Sequence, residues 1–282
     1  MKIAVVTDST SDIPPGLAAE RSICVIPLNV HIGSETYLDG VTLKADEFYK
    51  RLQSGGELPT TSQPSAGAFV EAYQKLAESF DAIVSVHISS RVSGTHNSAV
   101  QAKEEMSDSG TRIEVVDTLQ ASMGLGLVAL GVADAVKAGA NVDETVETAK
   151  SLSGRASFFG LVDTLEYLQK GGRIGRAQMY LGSLLRIKPI LSLVDGVAHP
   201  LDRARTWSRG YARVKEITEE AAPLSALAVM HSTDSEPTDR LASELARLVP
   251  GGEVVKAQFG PVLGTYLGPG SIGISLIRAT ED

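Results

Sequence analysis

The feature that most constrains the fold is the alternation of short apolar runs with segments of helical spacing in the first half of the chain. The apolar runs, rich in β-branched residues, predict strands over 2–7, 23–32, 82–88 and 112–118. The segments of helical spacing predict helices over 46–53, 66–79, 93–106 and 121–138. Strands that alternate with helices form βαβ units, so this half predicts an α/β fold with a three-layer, parallel-sheet domain.

The second half of the chain has a different pattern, which begins after a further helix predicted near 143–152. Strands are predicted over 156–162, 187–194, 226–231, 253–259 and 272–278, and helices over 207–221 and 238–248. Asp195-Gly196 is a typical hairpin turn that leads into residues 197–204. A hairpin combined with helical crossovers predicts a second α/β domain with a mixed sheet. We place the domains at residues 1–154 and 155–282.

The charge balance and the cysteine content exclude several classes of protein. Lys and Arg total 26 against 34 Asp and Glu, a net charge of −8, which argues against a nucleic-acid binder. Cys24 is the only cysteine, so an internal disulfide and a multi-thiolate metal site are excluded. The opening MKIAVVTDSTSD does not resemble a secretory signal, and no apolar run approaches the roughly 20 residues of a membrane span. We therefore expect a cytoplasmic protein.

Familiar catalytic motifs are missing from the sequence. It has no G-x-S-x-G elbow and no phosphate-binding G-x-x-x-x-G-K-[ST] loop. Residues 268–273 match G-x-G-x-x-G, but they precede a predicted strand, whereas dinucleotide binding needs a strand-to-helix turn. The five histidines never occur four residues apart, so no local zinc motif exists. We predict no catalytic residue and no metal site.

Clusters of Ser, Thr and Gly are the strongest candidates for a binding site. They occupy residues 7–12 (TDSTSD), 59–65 (PTTSQPS), 89–95 (SSRVSGT) and 264–270 (GTYLGPG). The first and third follow predicted strands, at the sheet edge where parallel α/β folds bind ligands. Hydroxyl groups and helix N-termini there could hold an anion. The alternative is ordinary helix capping: Ser11 or Asp12 could cap a helix with Pro14 or Pro15 in its first turn.

A Gly-rich basic segment, Lys170–Arg176 (KGGRIGR), stands out in an acidic protein. One interpretation is a mobile loop that docks an acidic partner. The alternative is a helix C-terminus, with Gly171 in the left-handed conformation and basic residues near the negative end of the helix dipole.

Six segments, taken in order, resemble the DegV family, which includes the fatty-acid-binding subunits of bacterial fatty acid kinase. They are residues 7–12, 59–65, 89–99, 163–175, 188–191 and 264–270. The resemblance implies a two-domain α/β protein that holds one long-chain fatty acid between its domains, the acyl chain in an apolar tunnel, with no other cofactor. It also implies that a separate ATP-dependent kinase, similar to dihydroxyacetone kinases, phosphorylates the bound acid. This chain would be a carrier and not an enzyme; we expect a monomer.

The resemblance also implies which residues bind. Thr61 and Ser93 would hydrogen-bond the carboxylate, with Ser62 as a further donor. The ligand-binding residues on the matched segments are Thr61, Ser62, Ser93, Gly94, Thr95, Thr265 and Tyr266. The family commonly has His where this chain has Tyr266, which can donate a neutral hydrogen bond but supplies no cation. Those assigned to partner docking are Lys170, Arg173 and Arg176.

Two other functions remain open at this point. The same hydroxyl-rich crevice could serve an enzyme that acts on a small phosphorylated metabolite, or the basic segment could make the chain a non-catalytic interaction module. A long aliphatic cavity would favour the lipid, and a short polar cavity would favour the metabolite.

Overall fold

Residues 1–280 form three β-sheets. The structure is a computed structural model that describes the backbone of residues 1–280 and the side chains of residues 1–181 and 187–280. The strands are β1 (Ile3–Asp8), β2 (Ile23–Ile26), β3 (Asn29–Ile32), β4 (Glu35–Leu38), β5 (Thr60–Ser62), β6 (Ala82–His87), β7 (Arg112–Asp117), β8 (Ala156–Leu161), β9 (Lys188–Val194), β10 (Val197–Ala204), β11 (Leu224–His231), β12 (Val255–Gln258) and β13 (Ile272–Arg278).

Helices cover the sheets and connect their strands. The α-helices are α1 (Pro15–Glu20), α2 (Ala45–Gln53), α3 (Ala66–Ala77), α4 (Thr95–Glu105), α5 (Met123–Lys137), α6 (Val142–Arg155), α7 (Glu166–Lys170), α8 (Trp207–Glu220), α9 (Glu236–Leu245) and α10 (Pro261–Leu267). A 3-10 segment spans Gly175–Arg186. None of the helices within residues 1–280 combines the length and apolar character needed to cross a membrane.

The first sheet is parallel, in the order β2-β1-β6-β7. Every residue of β1 and β6 is buried, because helices cover both faces. Ala4 and Val6 pack in one apolar cluster with α3 and α4, while Val5 and Val84 pack in another that includes α5. The three-layer parallel arrangement predicted for this half is therefore confirmed.

The second sheet is mixed, as predicted, in the order β10-β9-β8-β13-β11-β12. Its strand pairs are antiparallel apart from β11 and β12. The hairpin expected at Asp195-Gly196 joins β9 to β10, and both residues have positive φ (49° and 76°). These angles match the tight turn that an Asp-Gly pair favours between twisted strands.

The single strand predicted over 23–32 is wrong. Residues 23–26 form β2 in the parallel sheet, whereas 29–32 form β3 at the centre of a small antiparallel sheet, β4-β3-β5. Pro27 separates the two strands and has no N–H to extend a ladder. The N–H of Leu28 instead donates to Ser9 Oγ at 3.0 Å, which ties the turn to the end of β1.

The helix cap predicted at Ser11 or Asp12 is also wrong. Pro14 occupies the N-cap position of α1, with Pro15 first in the helix. Asp12 has a left-handed φ of 52°, and its carboxyl group accepts hydrogen bonds from Ser122 Oγ (2.6 Å) and the Gly260 N–H (2.9 Å). It therefore connects distant parts of the chain instead of capping its own helix.

Helix α5 packs against both large sheets and shares a continuous apolar core with them. The cluster around it contains Val5 and Val84 from the parallel sheet and Ala228 and Ile277 from the mixed sheet. The predicted domain boundary at residue 154 falls in the last turn of α6, directly before β8. The two-domain division remains a prediction.

Close packing of α5 depends on Gly126. A Cβ there would lie 2.6 Å from the backbone oxygen of Ser11, in the turn that follows β1. We expect Gly126→Ala to lower the free energy of unfolding by about 1–3 kcal/mol, because the backbone of the turn must move. Urea denaturation measures this change in the free energy of unfolding. Gly154→Ala is the matched control: Gly154 is exposed in a helix with no atom within 4 Å of the added Cβ, so alanine should be neutral or stabilising. Equal effects at both positions would contradict the packing argument.

Candidate functional site

One cavity lies where the parallel sheet, the small sheet, α10 and the β8–β10 strands meet. Its empty space, including the mouth, is about 840 Å³. Most lining residues are apolar, among them Leu28, Ile88, Phe158, Leu191 and Leu263. The polar lining residues are Thr10, Thr61, Ser62, Gln63, Ser93, Arg173, Ser192 and Tyr266. The cavity is therefore mainly aliphatic, with a limited set of hydrogen-bonding groups.

Four of the hydroxyl-bearing residues that line this cavity come from three of the sequence motifs and are here called the hydroxyl cluster: Thr61, Ser62, Ser93 and Tyr266. Thr61 Oγ1 and the Tyr266 hydroxyl are 2.5 Å apart, which joins β5 to α10. Gly94 brings the Ser93 turn against β5, since a Cβ on it would lie 2.9 Å from Gln63 Nε2. The structure thus places together residues that the sequence assigned to separate motifs.

Three predicted ligand-binding residues do not line the cavity. Thr95 is buried behind Ser93: its hydroxyl is 2.8 Å from Ser93 Oγ, and its N–H donates to the same oxygen at 3.3 Å. Thr265 Oγ1 donates to the carbonyl of Pro261 within α10, at 2.9 Å. Gly94 contributes by the close approach to Gln63 described above. All three support neighbouring residues of the site.

Among the lining residues whose side chains the structure describes, Arg173 is the only Lys, Arg or His. Its guanidinium carbon lies 5.3 Å from the centroid of the Tyr266 ring, a cation–π geometry. Arg173 Nε donates to the Val92 carbonyl at 3.2 Å, and Nη1 donates to the Gly171 carbonyl at 3.0 Å. These contacts hold a positive charge beside the hydroxyl cluster.

The other two basic residues of the 170–176 segment do not line the cavity. Lys170 forms an ion pair with Glu166 one turn earlier in α7, at 2.5 Å, and Arg176 is exposed. The segment does contain the predicted helix C-terminus. However, Gly171 is not left-handed (φ −77°); the positive φ of 70° belongs to Gly172. The turn comes one residue later because Gly171 still extends the helical conformation.

A buried polar chain leads to the cavity wall from inside the parallel sheet. The Tyr73 hydroxyl donates to Ser85 Oγ (2.8 Å), which lies 2.7 Å from His87 Nε2; His87 Nδ1 is 2.9 Å from Asp8 Oδ2. Asp8 also accepts from the N–H of Thr10 at 3.1 Å. His87 is therefore a buried strand-end histidine with a hydrogen-bond partner at each ring nitrogen.

Two buried carboxyl groups hold the start of α10. Asp12 accepts from the Gly260 N–H, and Asp39 accepts from the Val262 N–H and from Ser9 Oγ (2.7 Å). A Cβ on Gly260 would lie 3.2 Å from Asp12 Oδ1 and 3.1 Å from Asp39 Oδ1, so both carboxyls reach the same point. Burial raises the pKa of Asp39 to about 7 and holds the pKa of Asp12 well above its usual range.

The apolar lining of the cavity was not predicted residue by residue. On β8, Phe158 lines the cavity whereas Phe159 packs in a separate core cluster, as alternation along a strand requires. Helix α10 was not predicted, and its residues 264–267 were assigned to a cluster of Ser, Thr and Gly. The signal that could have found it is Pro261, a favoured first residue of a helix, followed by three aliphatic residues within six positions.

Comparison with known proteins supports the assignment made from the motifs. The family model described as uncharacterised proteins of the DegV family matches residues 2–279. The chain belongs to the DegV family. A DegV domain-containing protein of Halalkalibacterium halodurans is 39% identical over 283 residues, which cover 97% of this chain and 98% of the relative.

Solved structures of DegV proteins have the same fold. A DegV family protein from Thermus thermophilus, described as binding fatty acid, superimposes with a TM-score of 0.91 at 32% identity, covering 99% of this chain and 100% of that one. DegV of Bacillus subtilis, described as a fatty acid binding protein, gives 0.87 at 35% identity, with 98% and 99% covered.

The raised pKa of Asp39 predicts a pH-dependent stability. The folded state binds this proton more tightly than the unfolded chain, whose Asp pKa is near 3.8, so the associated stability is present at low pH and is lost as pH rises to about 7. Between pH 5 and pH 8, the wild type should lose about 2–3 kcal/mol more unfolding free energy than Asp39→Asn. Urea titrations at several pH values measure the difference. Asp108→Asn, at an exposed position, should retain the wild-type profile; identical profiles for all three proteins would disprove the assignment.

Proposed function

We propose that this protein binds a long-chain fatty acid in the cavity, with its carboxylate at the hydroxyl cluster and its acyl chain along the apolar lining. The observation that carries the proposal is that one cavity combines a mainly aliphatic wall with the hydroxyl cluster and Arg173. The fatty-acid-binding descriptions of the Thermus and Bacillus DegV proteins support it. The apolar lining argues against a small phosphorylated metabolite.

The two parts of the cavity would contribute differently to binding. Burial of each methylene is worth about 0.8 kcal/mol, so the acyl chain supplies most of the affinity. The carboxylate would accept hydrogen bonds from Thr61, Ser62 and Ser93, which fix the direction of the ligand. Tyr266 would add a neutral donor where the family commonly has histidine, and Arg173, against the Tyr266 ring, would offset the negative charge.

The protein would act as a carrier and not as the enzyme. A separate ATP-dependent kinase would transfer the γ-phosphoryl group of ATP to a carboxylate oxygen of the bound acid, giving an acyl phosphate and ADP. Arg173, Lys170 and Arg176 lie on one segment and would dock that partner. We further propose a monomer of two domains, residues 1–154 and 155–282, with the ligand between them, acting in the cytoplasm.

The direct test is lipid analysis of the purified protein. After incubation with excess oleate and removal of free lipid, denaturing extraction and mass spectrometry should recover about one fatty acid per chain. A protein of similar size with no apolar cavity, treated in parallel, should yield almost none. Recovery at the level of this control would refute the proposal.

The polar contact can be tested separately by Ser93→Ala. Loss of one hydrogen bond to a charged acceptor should weaken binding of a fluorescent fatty acid by about tenfold or more, in keeping with about 1.5–3 kcal/mol for such bonds. Ser90→Ala is the matched control, since Ser90 lies in the same turn but is exposed and outside the cavity. Unchanged affinity for Ser93→Ala would exclude Ser93 from carboxylate binding.

A further inference from the structure

The mixed sheet has a gap where strands β8 and β9 separate. Their pairing covers Phe159–Leu161 on β8 and Ile190–Ser192 on β9. Phe158 and Leu193 would be the next pair of an unbroken ladder, but among the residues that the structure describes they do not pair with each other. From this point β8 pairs with β13 alone, and β9 pairs with β10 alone. The two halves of the sheet therefore diverge at one end.

A groove on the α8 side of the sheet lies at this gap. Its empty space, including the open side, is about 820 Å³. Its lining includes apolar side chains from β9, β10 and the end of α8, namely Val194, Leu201 and Ile217. Val194 and Leu201 are 42% and 44% exposed, so the groove opens to solvent. Glu220 and Arg278 add one charge of each sign.

Three residues at the gap line both the groove and the ligand cavity: Phe158, Ser192 and Leu193. Phe158 packs in the core on the cavity side of the sheet, and Phe159 packs in the core on the α8 side. Ser192 is paired with Phe159 and so belongs to the α8 side, yet it also lines the cavity. Phe158, from the cavity side, also lines the groove. At the gap these residues, and not a paired backbone, separate the two spaces.

The shared residues determine which part of a bound fatty acid could reach the groove. They do not belong to the hydroxyl cluster, where the carboxylate would be held. The methyl end of the acyl chain is therefore the part that is free to approach Phe158 and Leu193. Beyond them, Val194 and Leu201 offer apolar surface on which further methylene groups would be shielded from water.

We propose that the gap between β8 and β9 is a second opening of the cavity, through which the methyl end of a long acyl chain passes into the groove. The inference rests on the proposed fatty acid function. It assigns the groove to the tail of the ligand because groove and cavity share three lining residues. The site then accepts chains that are longer than the cavity alone can hold, and the far end of such a chain meets water.

Dicarboxylic acids of two lengths test whether the far end of the chain reaches water. Each diacid and the monoacid of equal length compete with cis-parinarate for the wild type at about pH 8, where the carboxyl groups are ionised. Dodecanedioate should bind at least about a hundredfold more weakly than dodecanoate, since its second carboxylate would be buried without a partner. Docosanedioate should bind within about threefold of docosanoate, because its second carboxylate reaches the open groove.

Charges placed in the groove give an independent measurement. Val194→Lys should strengthen docosanedioate binding and Val194→Glu should weaken it, each about threefold, as expected for an exposed charge pair. Dodecanoate binding should change less than about twofold, because Val194 lines the groove and not the cavity. Val41→Lys and Val41→Glu are the matched controls, since Val41 is also exposed but lines neither space. Both should bind docosanedioate as the wild type does.

The outcomes distinguish this inference from the proposed function. Rejection of docosanedioate as strong as that of dodecanedioate would overturn the second opening, and so would equal docosanedioate affinities of Val194→Lys and Val194→Glu. In either case, binding of dodecanoate by the wild type would still support the carrier function. Failure of the wild type to bind both monoacids and parinarate would overturn the two proposals together.

Discussion

The contact on which the cavity depends is the attachment of α10 to two buried carboxyl groups. Asp12 follows the first strand of the parallel sheet and Asp39 follows β4, yet both accept hydrogen bonds from the backbone at the start of α10. The rest of α10 then lies over the cavity and positions Tyr266 against Thr61. Burial of two acidic groups is costly, and the raised pKa values express that cost. Both carboxyl groups lie where α10, from the second half of the chain, closes the cavity.

The sheets were predictable from sequence because local pattern and tertiary environment agree there. Continuous β-branched runs predicted β1 and β6, and Asp195-Gly196 predicted the hairpin of the mixed sheet. The interpretation of 23–32 as one strand failed because an apolar run does not reveal which sheet each part joins. The helix cap assigned to Asp12 failed because its partners, Ser122 and Gly260, are distant in sequence. Only tertiary structure brings such donors into contact.

The hydroxyl residues of the site were also accessible from sequence, while the cavity wall was not. Thr61 and Ser93 lie in polar segments where hydroxyl groups are conspicuous. By contrast, Phe158 and Phe159 are adjacent and chemically identical, yet one faces the cavity and the other faces the core. An apolar side chain carries no local mark of whether it packs on protein or on a ligand. The contact of His31 with Ser62 was not predicted for a different reason, because it follows from strand pairing between β3 and β5.

The 2.5 Å contact between Thr61 and Tyr266 joins residues 205 positions apart. A growing chain on the ribosome therefore has no complete site until Tyr266 has been synthesised. Strands β1 and β6 can pair long before that moment, but the cavity stays open on the side that α10 covers. The enclosed cavity is thus a property of the folded chain and not of its first half alone.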